Sequence, residues 1–313
     1  MGCILMSRKG TIYAGCSFTW GQGLWMYHEG DEHMPSSEEY TKDNMRIPEP
    51  AFNLRRTLGW PQIVSNHLNT DPIVKRYNGG SDEESLKFIE MVFGKEPHHR
   101  GILKHNYSLD EVDIIILQLT QPYRSGYYFE YKDKRYMVKG TPNLRNLDHV
   151  CEVAGFGEEL WTPMGHLVIK KENLPMDIFL DYLVENNKTI DDFKNEHISY
   201  WTNEVYKSLK KYYDLGKKVF LLTWTDEYLD FIKENDFLNK RLITFVYNGK
   251  NYDCIEHLQI NEDKDGQRMY IETENYNQQR NTGWDSHPSK LCHEIIADNV
   301  IKKISNEHLH RFI

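Results

Sequence analysis

The run Val112-Asp113-Ile114-Ile115-Ile116-Leu117-Gln118-Leu119-Thr120 restricts the possible folds more than any other stretch. It is a nearly continuous β-branched and aliphatic segment, without the alternation of a strand that has one wet face. Such a run suits a strand covered on both sides, which means a parallel sheet layered between helices. Shorter segments of similar character occur at Thr11–Ala14, Ile73–Tyr77, Lys217–Thr225 and Leu242–Val246. Between them the pattern turns helical. Gly59–Leu68 has Pro61 in its first turn, where a missing N–H costs nothing. Ser81 or Asp82 can cap a helix whose apolar face starts at Leu86. Thr225-Asp226-Glu227 opens another with carboxylates near its N-terminus, and Leu291–Ile304 is a last helical run. Strands alternating with helices predict an α/β chain.

The first strand leads into Gly15-Cys16-Ser17-Phe18-Thr19-Trp20-Gly21-Gln22-Gly23-Leu24. A strand that breaks at glycine and then presents Ser17 places a hydroxyl at the carboxyl edge of the sheet, where open α/β sheets hold their ligands. Nearby glycines let backbone N–H groups approach a substrate oxygen. The competing reading of Ser17 is a turn residue that satisfies a neighbouring backbone group.

At the other end of the chain, Asp285-Ser286-His287-Pro288-Ser289 puts an acid and an imidazole two positions apart in a polar segment expected to be a loop. An activated serine needs a base within hydrogen-bond reach, and that base needs an orienting acceptor. Ser17, His287 and Asp285 supply those three roles. With these residues the chain resembles the SGNH (GDSL-type) hydrolase superfamily, in a phage-type form. Gly15-Cys16-Ser17-Phe18-Thr19 is similar to its nucleophile block, and Asp285-x-His287-Pro288-Ser289 with His293 to its C-terminal acid–base block. The resemblance implies a three-layer α/β/α fold, flavodoxin-like in layout, with a central mostly parallel sheet.

It also implies an oxyanion hole. The Ser17 N–H is one donor, and Gly80 (or Gly79), in the Asn78-Gly79-Gly80-Ser81-Asp82 junction, occupies the position of a second. The alternative for the glycines is an ordinary tight turn between strand and helix. The family usually closes its third strand with Gly-x-Asn-Asp, the asparagine donating to the oxyanion. Here the strand ends Thr120-Gln121-Pro122-Tyr123-Arg124, the asparagine is absent, and Thr120, Gln121 or Arg124 could donate in its place. Loss of one such donor lowers transition-state stabilisation by roughly 3 kcal/mol. Arg124 and Trp20 are the expected substrate-binding side chains. The Asp-x-His spacing is one residue shorter than the commoner family form.

Composition excludes several alternatives. The 313 residues carry a formal net charge of -9, which argues against a nucleic-acid partner, since phosphate binding calls for clustered Lys and Arg. Mean hydropathy is -0.68, and no apolar segment reaches the length needed to cross a bilayer, so no membrane partner is expected. Five cysteines, Cys3, Cys16, Cys151, Cys254 and Cys292, are scattered without a Cys-x-x-Cys pair. That pattern favours reduced thiols in a cytosol-like compartment. His28 and His33 sit among carboxylates without metal-site spacing, and the expectation is no metal and no organic cofactor. Met1–Lys9 lacks the charge order of a signal peptide.

From Ser125 to about Leu215 the chain departs from the core pattern. Tyr127–Val138 reads as a β-hairpin turning at Lys132-Asp133-Lys134. Asp177–Asn186 and Thr189–Leu215 read as amphipathic helices, the second rich in aromatics (Tyr200, Trp201, Tyr206, Tyr212, Tyr213), which are expected mainly in the core. The domain reading is therefore one SGNH hydrolase-like domain over 8–313, with 125–215 as an insertion or cap able to set substrate choice. The functional expectation is a serine esterase that removes an O-acetyl or similar small acyl group from a carbohydrate or another small ester substrate. The alternatives are a silent SGNH-like structural or glycan-binding protein with a protein assembly partner, such as a virion component, or an acyltransferase using the same triad. The expected location is cytoplasmic, or virion-associated if the chain is viral.

Overall fold

The computed structural model describes residues 8–21, 24, 53–75, 80–94, 106–139, 149–152, 160–161, 167–168, 173–174, 176–263, 269–272 and 284–309. The strands are β1 (Gly10–Ala14), β2 (Asp71–Val74), β3 (Val112–Leu119), β4 (Tyr127–Tyr131), β5 (Lys134–Lys139), β6 (His149–Glu152), β7 (Leu160–Trp161), β8 (Leu167–Val168), β9 (Asn173–Leu174), β10 (Lys218–Thr223), β11 (Phe245–Tyr247), β12 (Lys250–Tyr252), β13 (Tyr270–Glu272) and β14 (Trp284–Pro288). The helices used below are α1 (Ser17–Trp20), α2 (Arg55–Leu58), α3 (Trp60–Leu68), α4 (Asp82–Val92), α5 (Asp177–Glu185), α6 (Ile190–Asp214), α7 (Leu229–Glu234), α8 (Asp236–Arg241), α9 (Ile255–Glu262) and α10 (Lys290–Leu309).

The central sheet has the order β10-β3-β1-β2, and all its pairings are parallel. Its residues alternate between two separate cores. Ile12, Ala14, Ile115, Leu117, Leu119, Val219 and Leu221 face α4, α6, α7 and α8. Tyr13, Ile114, Ile116, Phe220 and Leu222 face α3, α9 and α10. Both sides of β3 are thus dry, which explains why its sequence shows no alternation.

The edge strands depart from the sequence reading. The strand expected over Ile73–Tyr77 starts earlier, at Asp71, with Pro72 tolerated because β2 is an edge. The strand expected over Leu242–Val246 shrinks to a single parallel bridge from Leu242 to Leu221. Phe245 then turns into an antiparallel hairpin with β12. The turn is Asn248-Gly249, both with positive φ. An Asn-Gly pair favours a two-residue hairpin strongly enough to win over continuation along the parallel edge.

The β4–β5 hairpin turns at Lys132 and Asp133, with φ of 50° and 60°, as its sequence predicts. Together with β6 and β9 it forms a small antiparallel sheet, order β4-β5-β6-β9. Phe129, Tyr131, Tyr136 and Val138 pack there against Phe179 and Leu183 of α5 and Phe193 of α6. Helix α6 runs unbroken from its Thr189 cap, where the Thr189 side chain accepts from the Asp192 N–H. Its 25 residues span about 38 Å. Phe193 belongs to the hairpin's core, while Ile198, Trp201, Val205, Leu209 and Tyr212 belong to the main one. The small antiparallel sheet and the central parallel sheet therefore share one helix. Of its aromatics, Trp201 and Tyr212 are buried, whereas Tyr200 and Tyr213 are exposed. The buried His197 ring stacks on Tyr127 and meets Tyr123 edge-on, gripping the 3-10 turn Pro122–Arg124.

Candidate functional site

In the strand order, β1 is followed by β2 on one side and β3 on the other. The crevice beyond the carboxyl ends of β1 and β3 is therefore the switch point of the sheet. Gly15 leaves β1 there. A Cβ at Gly15 would lie 2.2 Å from Thr19 Oγ1 and 3.0 Å from Gln118 Cβ, so only glycine fits. That closeness lets the Thr19 hydroxyl donate to Gln118 Oε1 at 2.6 Å, while Gln118 Nε2 donates to the Cys16 sulfur at 3.2 Å. The turn bearing Ser17 is thereby fastened to the end of β3. Ser17 is the first residue of α1.

Phe18 carries the link to the C-terminal segment. Its buried ring lies 4.3 Å from Trp224, just beyond β10, and 5.2 Å from the His287 ring, edge-on. The turn after β1 and the segment bearing Asp285 and His287 therefore meet, although some 270 residues separate them. Asp285 and His287 lie on strand β14, not in the expected polar loop. The strand pairs antiparallel with β13: Ile271 opposes Asp285, Tyr270 opposes Pro288, and the register shifts between them. This bulge leaves Ser286 and His287 opposite the Tyr270–Ile271 step, and bulges of that kind re-aim side chains next to functional sites. Met269, just before β13, is fully buried in the core under α10. The side chains of Ser17, Trp20 and Asp285 lie outside the described residues, as do Gly79, His28 and His33.

A second group of polar residues lies beneath the same edge, and of its members sequence reasoning gave a functional part to Arg124 but not to Asp82 or Lys75. Asp82, fully buried at the start of α4, accepts the Thr120 N–H at 2.7 Å and the Tyr228 hydroxyl at 2.8 Å. It ties the end of β3 and the start of α7 to the helix after β2. Burial pushes its carboxyl up to about 6, against the pull of those hydrogen bonds and of the Lys75 and Arg124 cations. Lys75 extends the β2 ladder by one residue, its N–H donating to the Tyr13 carbonyl. Its ammonium is buried, donates to Ser85 Oγ at 3.2 Å and sits 3.7 Å from Glu84. Burial lowers its pKa, and Glu84, Cys16 and Asp82 raise it again. Arg124 is mostly buried, with its guanidinium 4.8 Å above the Trp224 ring. Burial lowers its pKa too, opposed by the same three neighbours. The only sequence signal for Asp82 was a carboxylate at a Gly-Gly strand–helix junction, which also fits a plain helix start.

This arrangement bears on each expected oxyanion donor. A Cβ at Gly80 would lie 2.3 Å from Lys75 Nζ, so Gly80 provides the space for that ammonium. Ser81 caps α4 reciprocally with Glu84, which uses the Ser81 and Glu84 N–H groups within the helix. The Thr120 N–H is engaged by Asp82. The Thr120 hydroxyl and Gln121 Oε1 are buried without a hydrogen-bond partner among the described residues. Also among the described residues, no three His, Cys, Asp or Glu side chains are grouped to hold a metal ion, and no helix is long and apolar enough to cross a membrane.

No protein-family model matches this chain, and no curated protein matches it at a significant level.

Proposed function

We propose that this chain is a serine ester hydrolase of the SGNH type, built on a flavodoxin-like variant of the layered fold, that removes a small acyl group such as O-acetyl from a carbohydrate. The observation that carries the reading is the 5.2 Å contact between the Phe18 and His287 rings. It brings the turn holding Ser17 to the strand holding the acid–base pair. In the mechanism His287 takes the Ser17 hydroxyl proton, Ser17 attacks the acyl carbon, and Asp285 holds the imidazole tautomer. The Ser17 N–H, Gly80 and the Thr120 or Gln121 side chain are the donors assigned to the oxyanion, with Arg124 and Trp20 against the substrate. An acyltransferase would use the same groups, a sugar hydroxyl replacing water. A reducing, cytosol-like compartment is supported by the free, buried thiols of Cys16, Cys254 and Cys292.

A second reading, a silent member of the same fold that binds glycans or assembles into a larger particle, is favoured by one observation. The Thr120 N–H is committed to Asp82, so the third strand offers no main-chain donor at that position. Purified protein with an aryl acetate ester separates the two readings. Hydrolysis by the wild type, lost in Ser17→Ala together with covalent fluorophosphonate labelling of Ser17, supports the esterase. Equal turnover by both proteins removes the serine mechanism.

A further inference from the structure

His293 is fully buried one turn into α10, six residues after His287. Its Nδ1 accepts the main-chain N–H of Trp60 at 3.2 Å. That N–H belongs to the first turn of α3, where backbone donors have no partner within their own helix. A ring nitrogen that accepts carries no proton, so in the neutral ring the hydrogen sits on Nε2. The ring is neutral. Burial, and then the nearby His287, push its pKa down to about 3. Nε2–H is therefore a fixed donor, and among the described residues nothing accepts from it. Trp60 Nε1 is a second buried donor in the same position. Native structures seldom leave such groups empty except where something else is meant to fill them.

We propose that His293 is a positioning residue for the hydrolytic water, its Nε2–H donating to a lone pair of the water that His287 activates. The inference rests on the esterase reading. Water is the one reactant that must reach His287 without being carried there on the Ser17 turn. His293 sits on α10 where that helix packs against both α3 and β14, close enough to His287 to feel its charge, whereas Phe18 flanks the base from α1. In the second half of the reaction the water oxygen forms a bond to the acyl carbon, and its proton passes to His287. The bond from that carbon to Ser17 Oγ then breaks, its electron pair staying on Oγ, which recovers the proton from His287. The acid product leaves. His293 holds the oxygen in place and neither gains nor loses a proton.

The test uses the full chain, an aryl acetate, and the variants His293→Asn and His293→Gln. Asparagine can still accept the Trp60 N–H but cannot reach the Nε2 position; glutamine can place an amide N–H there. The expected result for His293→Asn is a fall in kcat of tenfold or more, with KM falling alongside so that kcat/KM stays within about twofold. A pre-steady-state burst and acetyl mass on the Ser17 peptide accompany it, and His293→Gln recovers part of kcat. Equal losses in kcat and kcat/KM would mean that the ring only supports the fold, and would overturn the proposal. Nitrogen-15 histidine spectra of the wild type provide an arm that needs neither variant folding nor turnover. A neutral Nε2–H tautomer for His293, unchanged between about pH 5 and 8, is required. A ring that titrates in that range, or carries its proton on Nδ1, overturns the proposal. Absence of wild-type turnover counts against the esterase reading, and the spectra still decide the state of His293.

Discussion

Replacing Asp82 with asparagine isolates the energetics of the buried carboxyl beneath the candidate site. The carboxyl is fully buried, and its pKa rises from 3.8 to about 6. A rise of about two units is worth roughly 3 kcal/mol. The folded state holds the Asp82 proton more tightly than the unfolded chain. This contribution to stability is complete below the unfolded value and is lost as pH climbs through about 6. Near pH 4.5 about 1 kcal/mol is already gone, leaving about 2 kcal/mol to disappear by pH 7.5. Asparagine does not titrate, and its Oδ1 can still accept the Thr120 N–H while its amide faces the Tyr228 oxygen. Lys75 keeps Glu84 as its nearest anion. The stability of Asp82→Asn relative to wild type should therefore improve by about 2 kcal/mol between those two pH values. Urea denaturation followed by tryptophan fluorescence reads this difference. Comparing the two proteins is essential because His293 and His197, both held neutral with pKa values near 3 by burial, act in the opposite sense. Their contribution is present above the unfolded histidine value and is lost on acidification. A difference that stays flat across the range would refute the claim that burial dominates Asp82. A variant that loses ground as pH rises would show that the ionised carboxylate is a net stabiliser.

Three further outcomes follow from the packing. Gly80→Ala sets a methyl carbon against the Lys75 ammonium, 2.3 Å away before relaxation; overpacking of this kind costs about 1–3 kcal/mol in chemical denaturation. Phe18→Leu removes the ring contacts to Trp224 and His287. It should lose about 1 kcal/mol of stability but tenfold or more of any aryl acetate hydrolysis; unchanged hydrolysis would mean that Phe18 does not orient the base. Thr189→Ala removes the cap of α6 and should lower thermal stability by about 1 kcal/mol, measured by calorimetry.

The features legible in the sequence were those set by local chemistry. The dry run of β3, the Ser81 cap, Pro61 in the first turn of α3 and the Lys132-Asp133 hairpin all follow from a few adjacent residues. The parts that were not legible depend on partners far along the chain. Asp82 acquires its meaning from Thr120 and Tyr228, 38 and 146 residues away. Asp285 and His287 look like loop residues because they are polar, and they become a strand only because Tyr270–Glu272 pairs with them. Gly80 also makes room for the Lys75 ammonium, and nothing in its neighbourhood announced that a lysine five positions earlier would fold back against it. The Asn248-Gly249 pair was readable as a hairpin turn, and the apolar run before it drew attention away.

Helix α6 has a mechanical consequence. Its first turn is packed into the hairpin's aromatic core, its later turns lie on the main sheet, and His197 between them clasps Tyr123 and Tyr127. The appended hairpin is thus mounted on a stiff rod with no flexible joint in it. Any load on the hairpin would lever the Pro122–Arg124 turn, and the force would arrive at the guanidinium over Trp224.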